Sequence, residues 1–428
     1  MNAFFLAVLF MALLIIGVPV AFSLGLSSLI YMIFMTDISI AVLVQRASSS
    51  FDSMTIIAIP LYVLVAELMN LAGITDRIFQ FARNLIGWLR GGLAYVNIVA
   101  SIIFAGMSGS GLADIMGLGR VEIKAMKDAG YDLDFSAAVT GSSSIIGPII
   151  PPSITMILYG MLAEQSVGKL FIAGFLPGLI MGFALMVLVF LIARKRNYPR
   201  DPFEGIRALL KSFLQALLPL LTPFIILGGI VGGIFTPTEA AAIAAAYAFL
   251  LGFLIYKEVR LRDLPELLGK VAEKTAAILL IFGMASIFSY LVTLEQIPEM
   301  LSNFLVTFTD SPVVILIIIN IFLLMLGCFL DPGPVIIITV PILIPLVVLY
   351  QIDLIHFGVI VVLNVMVGVL TPPMGLQLFA LTDITKLPFD RIVRAIIPFY
   401  IPLLVVLLLC TLLPAAVMWL PNLLMSGR

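Results

Sequence analysis

Two glycine-to-diproline interruptions constrain what this chain can fold into. One reads Gly147-Pro148-Ile149-Ile150-Pro151-Pro152-Ser153, the other Gly368-Val369-Leu370-Thr371-Pro372-Pro373-Met374. Each breaks a long apolar segment, and each sets its two prolines at the same distance from its glycine. Proline lacks the backbone donor and clashes with the preceding turn, so a helix must unwind there. Unwound backbone is tolerated in hydrocarbon only where protein buries it or where it lines a polar cavity. Matched interruptions in the two halves of a chain are the sequence pointer to a transporter's binding site.

Composition supplies the setting. The chain is 62% hydrophobic and 11% charged, with a mean hydropathy of +1.23, where soluble domains carry about 25% charge. Apolar stretches such as 171–193 and 392–418 exceed the roughly 20 residues that span a bilayer core. The expected class is an all-α polytopic membrane protein. A net charge of −1 offers no basic surface for nucleic acid. Met1-Asn2 runs straight into apolar sequence without a positive n-region, so the first segment reads as retained. Cys328 and Cys410 are too few for a disulfide framework, and the single histidine, His356, cannot make a metal cluster. His356 fits a packing or interfacial role near a segment end. No acid, base or metal cluster suggests an enzyme, and no cofactor is expected.

The halves repeat each other. Pro19 and Pro237 lie 218 residues apart, as do Gly109 and Gly327 in Gly109-Ser110-Gly111-Leu112-Ala113-Asp114 and Gly327-Cys328-Phe329-Leu330-Asp331. Pro151 and Pro372, and Pro177 and Pro398, lie 221 apart. We read residues 1–193 as one repeat, 194–212 as a charged cytoplasmic linker, and 213–428 as a second repeat. Lysine and arginine mark cytoplasmic loops. They cluster at Arg77, Arg83 and Arg90 and at Arg120, Lys124 and Lys127, whereas 297–311 and 341–353 have none. Conversely, 36–52 has only Arg46 and 162–169 only Lys169, whereas their counterparts carry Lys257, Arg260, Arg262, Lys270 and Lys274, and Lys386, Arg391 and Arg394. Rich and poor loops exchange places, as an inverted repeat requires.

Spans are expected near 3–17, 19–35, 53–74, 135–161 and 170–193, and near 213–234, 237–256, 275–294, 357–383 and 392–420. A single kinked helix over 3–35 is the alternative for the first pair. Residues 93–118 hold one short crossing with basic flanks on both sides, so 93–127 reads as a re-entrant hairpin turning at Gly106-Met107-Ser108-Gly109-Ser110-Gly111. Residues 313–345 behave likewise from the other face, turning at Gly327–Pro334. Ordinary short helices with packing glycines are the plain alternative.

An interrupted helix ends in free carbonyls, which suit a cation, and restarts with free amides, which suit an anion. A hairpin tip facing a diproline break gathers both kinds of terminus. Ser108, Ser110, Ser142, Ser143, Ser144, Ser153, Thr155 and Thr371 add hydroxyls, and the breaks hold no lysine or arginine. An anionic substrate would need helix amides, hydroxyls and co-transported cations to neutralise it. Asp114 and Asp331 follow the two tips and could orient them or line a cation path; N-terminal capping of the second leg is the plainer reading. Thr236-Pro237-Thr238-Glu239 spells a capping box, which makes Glu239 structural. Glu67 lies deep in an apolar segment and is either functional or paired near a basic loop.

With these motifs the chain resembles, over essentially its whole length, the large membrane subunit of tripartite ATP-independent periplasmic (TRAP) transporters. The resemblance rests most specifically on 106–114, 141–153, 327–334 and 368–375. It implies an elevator-type, sodium-driven importer of organic anions in the bacterial inner membrane. A periplasmic binding protein would deliver the substrate and a separate small four-helix membrane subunit would enlarge the scaffold. By motif it implies one sodium site on Ser108, Ser110, Gly147, Ile150 and Pro152, and another on Gly327, Gly368, Thr371 and Met374, mostly through backbone carbonyls. Ser153 and Thr155 resemble the positions that meet a substrate carboxylate. Sialic acid is the favoured substrate and a C4-dicarboxylate the next. The rival reading is a stand-alone sodium/dicarboxylate symporter that needs no binding protein.

Overall fold

The structure, a computed structural model, describes residues 2–425; among them are helices and connecting turns, and no strand. Seven of the described helices are long and apolar enough to cross a bilayer. The chain opens with α1 (Asn2–Ile15) and α2 (Val20–Met35). Gly17, at a φ of 91°, and Pro19 separate them, so 3–35 forms two helices rather than one. A short α3 (Ala41–Ser49) leads through a 3-10 turn, Met54–Ile57, into α4 (Ala58–Leu71). Next comes α5 (Ile74–Ile86), which buries Ile74, Ile78 and Ala82 at a four-residue spacing and so lies along the bundle as an amphipathic arm.

The first expected hairpin is α6 (Gly92–Ser108) followed by α7 (Gly111–Met116) and α8 (Leu118–Asp128). Its return leg is broken at Gly117, which the sequence reading did not anticipate. Then α9 (Leu133–Ser144) and α10 (Ile154–Leu162) flank the first diproline break, and α11 (Val167–Arg196) closes the half. The second half follows with α12 (Ile206–Val231), α13 (Pro237–Leu250) and its π-helical continuation Leu251–Ile255. After α14 (Leu264–Leu294) and α15 (Ile297–Val306) comes the second hairpin, α16 (Pro312–Gly327) and α17 (Pro332–Leu349). The second break parts α18 (Leu354–Gly368) from α19 (Leu376–Thr385), and α20 (Phe389–Leu412) and α21 (Ala415–Met425) end the described chain.

Three boundaries depart from expectation for local reasons. The span placed at 392–420 is two helices, because Pro414 lies at the join and cannot donate to a continuing ladder. The span placed at 275–294 starts eleven residues earlier at Leu264, where Pro265 sits at the first turn and Glu266 favours the positive end of the helix. The linker expected over 194–212 is non-helical only between Arg196 and Ile206. The capping box at the start of α13 forms as read: the Thr236 hydroxyl accepts from the Glu239 amide at 3.3 Å, and the Glu239 carboxylate accepts from the Thr236 amide at 2.8 Å.

Both hairpins return to where they start. Tyr131, just after α8, accepts from the Leu93 amide at 3.4 Å and donates to the Pro199 carbonyl at 3.1 Å. Tyr350, just after α17 and 219 residues on, donates to the Thr309 carbonyl just before α16 at 2.6 Å. The base of the first hairpin is also clasped by the linker. Tyr198 stacks on Tyr131 with ring centroids 4.6 Å apart and donates to Asp132 at 2.6 Å; Asp132 also accepts from Arg196 at 2.9 Å.

The basic loops gather at one end of the bundle. Arg83 pairs with Asp201, Arg77 with Glu258, Lys274 with Glu67 and Arg391 with Asp134. The Lys274 contact answers the question about Glu67, whose carboxylate is paired. His356 is buried and meets the Cys410 carbonyl at 2.8 Å, a packing role. Across the two halves the packing is reciprocal: α2 lies on α14 and α13 on α4, α10 on α17 and α19 on α7, α9 on α20 and α18 on α11.

Candidate functional site

The first hairpin tip lies directly against the first break. Gly109, at a φ of 60°, turns α6 into α7, and a Cβ there would stand 2.5 Å from the Pro152 carbonyl oxygen. Only glycine combines that left-handed conformation with so close an approach. Ser110 is the N-cap of α7, its hydroxyl accepting from the Ala113 amide at 3.4 Å. Asp114 is therefore not the cap, contrary to the plainer reading. Its Oδ1 instead accepts from the Ser108 hydroxyl at 2.5 Å, and its Oδ2 is buried without a protein partner beside Gly147. A carboxyl so placed holds the tip through Ser108 and leaves one oxygen free beside the break.

Within the first break, Ser153 caps α10, accepting from the Met156 amide at 3.2 Å. Its hydroxyl donates to the Pro148 carbonyl at 2.5 Å and lies 2.9 Å from that of Thr155. Among the described residues no donor meets the carbonyls of Gly147, Ile150 or Pro152. Buried carbonyls are otherwise almost always satisfied. Free carbonyls in a break that packs against a serine-bearing tip have the donor chemistry that suits a hard monovalent cation.

The second pair is built from backbone alone. Gly327 of the tip and Gly368 of the break touch: a Cβ on Gly368 would sit 2.7 Å from the Gly327 Cα. Gly375, at a φ of 48°, donates to the Cys328 carbonyl at 3.1 Å and ties the break to the tip. The Thr371 hydroxyl donates back to Val367 at 2.9 Å. The carbonyls of Gly327, Thr371 and Met374 accept no hydrogen bond among the described residues, whereas that of Gly368 accepts from the Thr371 amide at 2.8 Å. Asp331 occupies the N-cap position of α17, as the capping reading expected, but its side chain makes no cap bond. Pro151–Pro152 and Pro372–Pro373 are both cis. The pairs differ in access: the first break is buried throughout, while Pro373 and Met374 of the second are exposed.

Several residues at the site were not singled out from the sequence. Gln377, in the helix that follows the second break, accepts from Ser144 of the first at 3.4 Å, and its Nε2 crowds Gly111. It is the polar bridge between the two pairs. Asn97 donates to Thr140 at 2.7 Å and accepts from Ser143 at 2.7 Å, binding hairpin to broken helix. Asn364 donates to Asn320 at 2.9 Å and does the same in the second half. Asn97 and Asn320, 223 residues apart in apolar helices, carried a readable signal; Gln377 carried none.

Comparison with known proteins places this geometry. The sequence profile described as tripartite ATP-independent periplasmic transporter, DctM component, matches residues 7–416. The chain is 42% identical over 413 residues to the sialic acid TRAP transporter large permease protein SiaM of Vibrio cholerae, covering 96% of this chain and 97% of that one. It is 42% identical to the sialic acid TRAP transporter permease protein SiaT of Haemophilus influenzae over 99% of this chain and 69% of that one. The C4-dicarboxylate TRAP transporter large permease protein DctM of Vibrio cholerae is 35% identical over 98% of both chains. Among solved structures, the YdaH transporter of Alcanivorax borkumensis superposes with a TM-score of 0.64 over 89% of this chain and 88% of that one at 14% identity, a shared fold.

Proposed function

The chain belongs to the DctM component family of tripartite ATP-independent periplasmic transporters, large permease subunits of the bacterial inner membrane, and on that premise we propose that it imports an organic anion, sialic acid first and a C4-dicarboxylate next, driven by sodium. The observation that carries the sodium reading is the set of donor-free carbonyls at each meeting of tip and break. Ser108, Ser110, Gly147, Ile150 and Pro152 hold one ion, and Gly327, Gly368, Thr371 and Met374 the other, with Asp114 supplying charge beside the first. Two sodium ions neutralise an acid that the breaks, lacking lysine and arginine, cannot. The α10 amino terminus with Ser153 and Thr155 meets the carboxylate once their hydroxyls turn away from Pro148.

The two halves are inverted copies in this reading. The rich and poor loops that change places, the ion pairs that gather the basic loops at one end, the matched closing tyrosines and the reciprocal packing all support it. Helices α2, α4, α13 and α14 then form part of a fixed scaffold, and the hairpins with the broken helices form the body that carries solute across it as an elevator. Exposed apolar residues such as Phe183, Phe190, Phe224 and Ile401 suit lipid and a small four-helix subunit, and a periplasmic binding protein delivers the acid. Family membership favours this over a stand-alone symporter.

The test is uptake into proteoliposomes holding the chain with its small subunit, supplied with candidate binding proteins and sialic acid or succinate. Uptake that requires both a sodium gradient and a binding protein is the expected result. Equal uptake with potassium in place of sodium would sink the sodium reading, and uptake without any binding protein would favour the symporter.

A further inference from the structure

The loops opposite the basic end (36–52, 162–169, 232–236, 295–311 and 350–353) carry seven carboxylates and, among the described residues, only two cations, Arg46 and Lys169. An acid approaching that face meets net negative charge. Arg46 is set apart from its acidic surroundings. It makes no ion pair among the described residues; its guanidinium lies over the Tyr290 ring, 4.4 Å from the centroid. The short helix α3 that carries it is pinned to α14, since Ser286 donates to the Arg46 carbonyl at 3.2 Å. Both contacts hold the side chain at the rim of a cavity of about 560 Å³, within the range of about 300–1,000 Å³ typical of small-molecule sites. Ser289 and Thr293 of α14 bring hydroxyls to the same cavity, and Ile337 of α17 contributes to an apolar wall. The cavity therefore opens between α14 on one side and, on the other, α10 and α17, the elements that end the first break and carry the second hairpin.

We propose that this cavity is an outer capture site for the carboxylate of the incoming organic acid, with Arg46 as its ion-pairing group and the hydroxyls of Ser289 and Thr293 as hydrogen-bond partners. The proposal rests on the reading of this end as the outer face. An arginine guanidinium seated over an aromatic ring makes no ion pair there and can still offer its N–H groups for bidentate contact with a carboxylate. An unpaired cation in a field of carboxylates selects for the one anion presented in the right geometry and leaves the inner site, which lacks fixed cations, to be filled with sodium. A lipid headgroup has similar anionic chemistry, and the test separates the two.

The chain with its small subunit, in nanodiscs of neutral phosphatidylcholine, is treated with phenylglyoxal, and modification of Arg46 is followed by peptide mass spectrometry. Sialic acid and succinate serve as probes, with potassium chloride at matched ionic strength as the control. Saturating acid should slow modification about tenfold when present at about ten times its dissociation constant. Arg46→Gln should raise KM for uptake about tenfold with kcat near that of the parent, a loss of uniform binding, and Arg46→Lys should restore part of it. Protection by neither acid overturns the proposal even if sodium-driven uptake is normal. Protection that needs phosphatidylglycerol instead of acid assigns the cavity to a headgroup, and protection by substrate-free binding protein makes it a docking contact; both overturn it. Absence of sodium-driven uptake in the parent would count against the function proposed above but not against protection at Arg46.

Discussion

The contact between Gly327 and Gly368 gives the sharpest test of the ion sites. Replacing Gly368 by alanine would place a Cβ 2.7 Å from the Gly327 Cα, 2.9 Å from its carbonyl carbon and 3.3 Å from its oxygen. Non-bonded carbons rest about 3.5–4.0 Å apart, so the two backbones must part by about 1 Å. Neither partner is a flexible side chain that could swing aside. Overpacking of this kind costs about 1–3 kcal/mol. Where the strain falls on the ion-bound geometry, that is a loss of roughly 5- to 140-fold in sodium affinity. Gly333→Ala is the matched control, because its Cβ would meet only Leu158 Cδ1 at 3.8 Å. Gly327→Ala, at 3.0 Å from the Gly368 Cα, should fall between them. The assay is the sodium concentration that half-saturates thermal stabilisation of the purified protein, repeated for uptake. If Gly368→Ala and Gly333→Ala share the sodium dependence of the parent, the close approach does not shape a cation site and the reasoning fails.

Other expectations are more local. Asp114→Ala leaves the buried Ser108 hydroxyl without its acceptor, which should cost about 1–3 kcal/mol, while Asp114→Asn keeps an acceptor and removes the charge; sodium titrations of uptake should show both variants weakened with abundance of the Asn variant preserved. Tyr350→Phe removes the hydroxyl that closes the second hairpin and should cost about 0.5–1.5 kcal/mol, read as faster hydrogen exchange confined to 309–312 and 347–352. The Tyr198 hydroxyl and then the Arg196 guanidinium hold the Asp132 carboxyl below its ordinary value. That contribution is complete above the unfolded value of about 3.9 and fades as pH falls through the lower folded one. The melting difference between parent and Tyr198→Phe should accordingly be constant at neutral pH and shrink in strong acid.

Much of this architecture is legible because its signals are local. A diproline after a glycine must break a helix wherever it stands, and Thr236 to Glu239 must cap one. The first hairpin is legible from the basic residues on both flanks of 93–118, of which Arg83, Arg120 and Lys124 do line one cavity. Boundaries failed where one residue decides them: Pro414 divides the last apolar stretch, and Leu264 begins a helix well before its hydrophobic part. Within the site, Ser108 and Ser110 were found as hydroxyls near a glycine turn, but which of Ser110 and Asp114 caps α7 depends on side-chain direction, which spacing does not reveal. Gln377 lies more than two hundred residues from Ser144. Nothing in either local sequence reports that they meet.

The exchange of α10 onto α17 and α19 onto α7 has an evolutionary consequence. Each interrupted helix finishes against a neighbour encoded in the other half, so one half alone would leave α10 or α19 without that cover. On the inverted-repeat reading proposed above, a gene for a single copy could have served only as a pair of identical subunits facing opposite ways, and fusion through the segment now at 197–205 would have secured the stoichiometry of that pair and freed its members to diverge. On that reading, the serine-lined pair and the all-backbone pair are the outcome of such divergence.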